Sequence, residues 1–593
     1  MEIMGKPEEL QELKVKKPDD DKEGKLSQKT TTEKAKWSNS IEFLVSCITL
    51  SVGLGNVWRF PFTALQYGGG TFVIPYTIIV ILVGKPLYYL EILLGQFSSK
   101  GCIKVYDMAP AVRGIGFGQC ICTVIVLSIY ASVMALTIRY FLASFGDPLP
   151  WSLCKAEWNT TCVDSSLKMG NFSGANAKSS AELFFIKDIL KEANSIENGL
   201  GVPNWQLVVC LIVAWCIIGL VLIRGIQSSG KVAYFLAIFP YIVLIILLIR
   251  SVTLEGAING ILYFIIPDLN KMFDAELWYA AVTQVFYALG ICFGSIIMYS
   301  SYNRFDQNVY RDVNIITTMD YMTSLLAGLI IFGILGHLAH VMGIEDIQQV
   351  TTSFMGLAFI AYPEAISKFD YIPQFFAIVF FLMLFSFCIG SNMGMANCIL
   401  TTIRDRYPKI MCWKIVLAIV VFGIMIGIFY TTPGGQYLIN LLDFYGASFV
   451  ALILAIIELI TVSWIYGVDR FCRDIEFMLK RKTSAYWRIC WKFITPFIMI
   501  SILLYFLATW KALTYQGQEY STGMHMFGWC ISLLGLLQLP LWMIYAIYKQ
   551  THETIIQRIK AAFKPNKNWG PCDHEIRERY EHFILSWRTH RKP

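Results

Sequence analysis

Apolar runs of about 18 residues or more, long enough to cross a hydrocarbon core as a helix, recur along the chain between polar connections. They predict twelve helices, at 41–65, 71–97, 115–145, 205–224, 232–250, 278–302, 314–341, 372–404, 413–430, 437–467, 489–509 and 525–548. One more apolar stretch, 351–366, ends in Tyr362-Pro363-Glu364 and reads as a re-entrant or surface helical hairpin. Residues 1–36, rich in Lys, Asp and Glu, have no apolar face to bury and read as a disordered tail; no signal peptide precedes the first run.

Two of these helices are interrupted. The first breaks within Ser51-Val-Gly-Leu-Gly55 and resumes through Asn56, Trp58 and Arg59, while the sixth carries Ala288-Leu-Gly-Ile-Cys-Phe-Gly294 in its middle. Unwinding a helix inside a membrane frees backbone N–H and C=O groups, tolerated only where protein or a water-filled cavity surrounds them. Freed carbonyls suit a small cation, and the N-terminus of a resumed half-helix attracts an anion. Glycines there also serve close helix packing. Two breaks on the first helix of each of two five-helix groups, however, form the pattern of an inverted-repeat transporter with its site near the midplane. The ligands this predicts are a carboxylate-bearing solute and a metal cation.

Composition excludes a soluble single-core protein, since 56% of the 593 residues are hydrophobic and 15% charged, with mean hydropathy +0.54. The net charge of +7 forms no basic stripe on a nucleic-acid-reading fold; the predicted surroundings are the lipid bilayer, not nucleic acid. Lys and Arg gather in alternate connections: Lys100, Lys104 and Arg113; Arg224 and Lys231; Arg304 and Arg311; Arg404, Arg406 and Lys409; Arg470 to Lys482. That side also holds both termini, so it is predicted to be cytoplasmic. The opposite side receives the loop 146–204, whose sequons Asn159-Thr-Thr and Asn171-Phe-Ser lie beside Cys154 and Cys162. Together they argue for an extracellular, glycosylated loop with a disulfide. Most of the 16 cysteines fall in apolar runs as small packing residues. Residues 551–593 read as a partly ordered cytoplasmic tail with a basic stretch from Arg558 to Arg591, and Asp107 with Arg113 as a solvated or gating pair. No nucleophile–base pair or phosphate loop stands out, which speaks against an enzyme.

Ser51-Val-Gly-Leu-Gly-Asn-Val-Trp-Arg-Phe-Pro61, Tyr67-Gly-Gly-Gly-Thr-Phe72, Gly95-Gln96-Phe97, Ser300-Ser-Tyr-Asn303, Leu442-Asp443-Phe444 and Tyr466-Gly467 resemble the neurotransmitter:sodium symporter family. Val309-Tyr-Arg-Asp312 and Ile403-Arg-Asp-Arg406 look most like its insect nutrient amino acid transporters. The resemblance implies an all-α membrane protein whose transporter domain, 37–550, has twelve helices, inverted repeats of helices 1–5 and 6–10, and alternating access.

It also implies a site. The substrate pocket would comprise Ser51, Gly53, Leu54 and Gly55 with Val126 and Tyr130, then Tyr287, Gly290 and Phe293, and finally Ser391 and Met395. Tyr130 would hydrogen-bond the substrate carboxylate and Phe293 close over it. Amine-transporting members carry Asp where this chain has Gly53. A protein carboxylate there would repel a solute that brings its own, so Gly53 favours amino acids over amines. No charged side chain stands in the side-chain half of the pocket, which speaks for neutral amino acids. The first cation site would use the Ser51 carbonyl and Asn56, but Ala288 replaces a hydroxyl and Asp320 an Asn. The second would use carbonyls of Thr49, Val52 and Phe387 and the Ser391 hydroxyl, with Gly390 where Thr or Asp is usual. Na+ is the expected cation, with K+ or Li+ admitted by the added charge of Asp320. A chloride site would be Tyr76, Gln284 and Ser324; Ala288 loses a donor and Asp320 adds negative charge, so chloride dependence is expected to be weak or absent. Arg59 and Asp443 match the outer gate, Lys34 and Asp405 the inner one.

The reading is cation-coupled uptake of neutral L-amino acids across a plasma membrane. Its rivals are the same fold moving glycine, γ-aminobutyrate or an osmolyte, and an amino acid sensor without turnover. Glu91 and Glu458, carboxylates inside apolar helices, are read as partners of helix-end backbone groups.

Overall fold

A computed structural model describes residues 36–165, 178–193, 199–223, 225–343, 347, 357–369, 372–515 and 517–589. From Lys36 onward the chain forms one compact unit. Its long helices are α1 (Ser40–Gln66), α2 (Gly70–Ser98), α3 (Gly114–Ala143), α4 (Trp205–Leu222), α5 (Ile226–Val252), α6 (Ala275–Ser300), α7 (Val309–Met342), α8 (Pro373–Arg406), α9 (Cys412–Tyr430), α10 (Gly435–Leu479), α11 (Ala485–Ala508) and α12 (Thr522–Tyr548). Eleven of these are long and apolar enough to cross a membrane. The other is α6, whose parts Ala275–Leu289 and Ser295–Ser300 are each too short alone.

Polar caps set the starts. The Asn39 side chain accepts from Glu42 N–H (2.8 Å) ahead of α1, and Asp274 accepts from Glu276 N–H (3.1 Å) ahead of α6. Around α3 and α8, which pack against each other most extensively, lie the buried faces of α1, α4, α6 and α10. Large apolar side chains of α5, α9, α11 and α12, by contrast, are exposed, among them Ile238, Phe422, Phe497 and Leu541. In water such a surface would aggregate; against lipid it costs nothing.

The structure departs from the sequence reading in several places. α10 does not end at Gly467 but turns there, at φ 97, and continues to Leu479. Of the stretch 351–366, residues 351–356 lie outside the described residues, and so does the hairpin reading; the remainder forms a short helix, Leu357–Ser367. An unexpected helix, Ala257–Ile265, lies on α7. It approaches so closely at Gly260 that a Cβ there would sit 1.7 Å from the Phe332 carbonyl oxygen. Past α12 the described part of the C-terminal tail carries two further helices, Ile555–Ala562 and His574–Thr589. Trp569 and Tyr580 bury their rings against Phe97, the Trp569 indole donates to the Tyr466 hydroxyl (2.9 Å), and Asn566 N–H donates to the Asp107 carbonyl (2.9 Å).

Candidate functional site

The two helix breaks face each other. In α1 the regular turn stops at Ser51, Val52 is extended (φ −79, ψ 92), and a wide turn over Gly55–Arg59 restarts the helix. In α6 the residues Gly290, Cys292 and Gly294 all have φ near 70° (67°, 67° and 70°). Gly290 and Gly294 adopt this conformation at no cost; Cys292, a residue with a Cβ, is held in it. The hold is visible: Glu91 Oε1 accepts from Cys292 N–H (2.6 Å), and the Phe293 carbonyl accepts from the Thr123 hydroxyl (2.6 Å). Glu91 therefore is the partner of a freed backbone group, as expected. Glu458 is not; it accepts from the Gln119 side chain (2.7 Å). Across the gap, Gln284 donates to the Gly55 carbonyl (2.7 Å), and a Cβ on Gly55 would lie 3.4 Å from Ala288 Cα.

Between the breaks lies a cavity of about 30 Å³ lined by Leu50, Val126, Tyr130, Tyr287, Gly290, Phe293, Ser295, Ser391 and Met395. The sequence reading had named these except Leu50 and Ser295, which flank the two breaks. Leu54 and Gly55 line the vestibule above, and Ser51 and Gly53 lie buried beside the cavity. That volume holds about one or two waters, so the pocket is contracted.

The vestibule, about 380 Å³, is lined by Trp58, Arg59, Tyr130, Asp443 and Phe444 among others. Its floor is the Arg59–Asp443 ion pair (3.3 Å). Asp443 Oδ1 accepts from the Tyr287 hydroxyl (2.7 Å), and the Arg59 guanidinium lies 3.7 Å from the Tyr287 ring centre. The opposite end is sealed by Trp37, whose indole donates to the Tyr299 carbonyl (3.0 Å) and whose ring packs edge-on against Tyr299 and Tyr302. Of the expected inner pair, Lys34 lies outside the described residues. Asp405 accepts from Gly101 N–H (3.3 Å), and its carbonyl accepts from Lys104 Nζ (2.7 Å). Asp107 is not solvated: it is buried between Lys100 (3.2 Å) and Arg113 (Nε, 2.8 Å).

At the first cation position, Asn56 and Asp320 are fully buried and bonded. Asn56 Nδ2 donates to Asp320 Oδ1 (2.6 Å) and to its carbonyl (3.0 Å), while Asn56 Oδ1 accepts from Gly53 N–H (3.2 Å). The other carboxylate oxygen, Asp320 Oδ2, has no hydrogen-bond partner among the described residues. A buried carboxylate oxygen left this way is costly without a cation or proton. Of the three side chains of the chloride set, Tyr76 meets Ser324 (3.1 Å), which also accepts from Asn56 Nδ2 (3.0 Å), and Gln284 is turned to Gly55. At the second position α1 presses on α8. A Cβ on Gly390 would lie 2.6 Å from the Thr49 carbonyl oxygen, and one on Gly53 2.6 Å from Ser391 Oγ. Val52 and Phe387 are buried there.

Cys154 and Cys162 form a disulfide. Asn159 falls in the turn Ala156–Thr161, and Asn171 lies outside the described residues.

Residues 34–550 match the model of the sodium:neurotransmitter symporter family. The chain is 46% identical over 577 residues to the sodium-dependent nutrient amino acid transporter 1 of Drosophila melanogaster, covering 93% of this chain and 90% of the relative. It is likewise 46% identical to the protein of the same name from Drosophila mojavensis, covering 94% and 89%. With its paired helix breaks, its neutral cavity and this match over most of its length, the chain belongs to the sodium:neurotransmitter symporter family.

Proposed function

We propose that this protein couples Na+ entry to the uptake of neutral L-amino acids across a plasma membrane, with both termini cytoplasmic and the loop 146–204 outside. The cavity between the breaks carries the proposal: it is walled by neutral side chains and shut from the vestibule by one ion pair. The substrate carboxylate binds at the resumed half of α1 and Tyr130. Its side chain is received by Val126, Gly290, Ser391 and Met395, whose thioether adapts to different shapes. Because the cavity is contracted to about 30 Å³, binding needs α3 and α8 to part from the breaks. This suits an adaptable pocket.

Asp320 supplies what the missing hydroxyl at Ala288 takes away. Its bare oxygen offers a hard cation an anionic ligand beside Asn56 and the Ser51 carbonyl, with the second cation between the Thr49, Val52 and Phe387 carbonyls and Ser391. The added charge strengthens the attraction for any alkali cation, so K+ and Li+ substitute in part. The same charge, beside Tyr76 and Ser324, disfavours chloride. Cation and substrate carboxylate assist each other's binding, a reciprocal coupling. Each charge moved through 100 mV supplies about 2.3 kcal/mol.

Substrate-evoked current in voltage-clamped oocytes tests this. Inward current with several large neutral amino acids in Na+, persisting without chloride, is the expected result. Current with glycine or γ-aminobutyrate only, or cation-dependent binding without current, would overturn it.

A further inference from the structure

Three thiols from three separate segments meet at the end of the bundle that carries Arg404 and Arg406. Cys102 sits in the turn after α2, Cys120 in the second turn of α3 and Cys398 near the end of α8. Cys102 Sγ lies 3.4 Å from Cys120 Sγ and 3.8 Å from Cys398 Sγ, and the Thr402 hydroxyl touches the first two at 3.4 and 3.8 Å. Cys102 and Cys398 are buried, whereas Cys120 is partly exposed. Small packing residues account for each cysteine alone, but not for sulfurs from a loop and two helices converging where one of them is partly exposed.

We propose that Cys102 and Cys120 are an oxidisable pair whose disulfide holds this end of the transporter shut. A sulfur–sulfur bond is about 2.05 Å, so the pair needs to close a little over 1 Å. Cys102 is in a turn, where the backbone yields more readily than inside α3. Hydrogen peroxide is the oxidant. The partly exposed Cys120 thiolate attacks one peroxide oxygen, the O–O bond breaks, and a sulfenic acid forms with release of water after protonation. The Cys102 sulfur then attacks the sulfenic sulfur and the S–O bond breaks, its oxygen leaving as water. Two thiols and one peroxide become one disulfide and two waters, and a dithiol reductant reverses the change.

The location gives the bond its consequence. A Cβ on Gly294, the last residue of the α6 break, would lie 2.7 Å from Cys102 Cβ and 3.3 Å from Cys398 Sγ. Cys398 Sγ also lies 3.7 Å from the carbonyl of Phe293, a wall of the substrate cavity. The loop bearing Cys102 holds Asp405 of α8 through Gly101 and Lys104. Fastening that loop to α3 therefore fixes the surroundings of the α6 hinge in their closed arrangement. This consequence rests on the transport reading above; the bond itself does not.

The test has two arms. Purified full-length protein is treated with hydrogen peroxide, digested and mapped for a peptide containing Cys102 joined to one containing Cys120, absent after dithiothreitol. Uptake is measured in cells before and after peroxide, for the wild type, Cys102→Ser, Cys120→Ser and, as a control, Cys122→Ser. The linked peptide, with uptake lost in the wild type and the control, restored by dithiothreitol and retained in the other two variants, is expected. No linkage, a bond from Cys102 to Cys398 instead, or equal loss in all four proteins overturns the proposal. A wild type that takes up nothing before oxidation contradicts the transport reading, and the peptide map still decides the bond.

Discussion

Asn56 Nδ2 stands 2.6 Å from Asp320 Oδ1, so the break in α1 is tied to α7 by a buried, charge-assisted hydrogen bond. The partner is the Asp320 carboxyl, whose second oxygen has no hydrogen-bond partner among the described residues. In the proposed site a cation keeps Asp320 ionised and takes this oxygen as a ligand.

Replacing Asp320 by Asn removes that charge with little change of shape. Two opposite unit charges about 4 Å apart attract by roughly 4 kcal/mol at an effective dielectric constant of about 20, so cation affinity is expected to fall roughly tenfold or more. Adding Ala288→Ser restores a hydroxyl, and the double variant is expected to gain chloride dependence. Currents in Na+ and K+, with chloride or gluconate outside, measure both. If cation affinity and chloride dependence stay as in the wild type, Asp320 is not at the first cation site.

Gly53→Asp places a like charge beside the proposed carboxylate position and is expected to abolish uptake. The added Cβ alone meets Ser391 Oγ at 2.6 Å, so Gly53→Ala separates crowding from charge. The serine hydroxyl can rotate, and Ala is expected to keep measurable uptake. Equal loss in the two variants would assign the effect to crowding and sink the charge argument.

Gly390→Ala addresses the second cation position. Its methyl would meet the Thr49 carbonyl oxygen at 2.6 Å, and backbone does not swing aside as a side chain does. Overpacking of this kind costs about 1–3 kcal/mol. The Na+ concentration for half-maximal current is expected to rise by tenfold or so, with surface expression largely kept. An unchanged Na+ dependence would remove Thr49 from the ligands.

Much of this site could be read from local sequence, because its parts are backbone devices. Paired glycines at Gly53 and Gly55, and at Gly290 and Gly294, mark the breaks whatever surrounds them; the cavity walls on other helices, Val126, Tyr130, Ser391 and Met395, come from the family resemblance and not from local pattern. What escaped depends on contacts distant in sequence. The helix Ala257–Ile265 is held by Gly260 against the backbone of Phe332 and Gly336, a fit no local pattern reveals. Trp569 and Tyr580 are isolated aromatics in a charged stretch until Phe97 and Tyr466 meet them. Asp107 is read from the sequence with Arg113, but its burial and its second partner, Lys100, appear only once the loop folds.

The outer gate gives the last prediction. Arg59 does three things at once: it pairs with Asp443, lies over the Tyr287 ring, and lines the vestibule. Lys keeps the charge but has neither the planar fork nor the flat face. Asp443→Asn keeps the acceptor for the Tyr287 hydroxyl but loses the charge. If the gate closes through charge, Asp443→Asn is the more damaging; if it closes through the stacked guanidinium, Arg59→Lys is. The 3.7 Å approach to the ring centre and the partial exposure of the ion pair, 18% and 27%, favour stacking. Exposed pairs contribute only about 0–1 kcal/mol, whereas a cation over an aromatic face contributes about 0.5–2 kcal/mol with rising desolvation. Arg59→Lys is therefore expected to lower maximal uptake several-fold and Asp443→Asn less so, with amino acid affinity less affected in both. Uptake kinetics of the two variants, normalised to surface expression, decide between the two closures, and the reverse order would show that charge holds the gate.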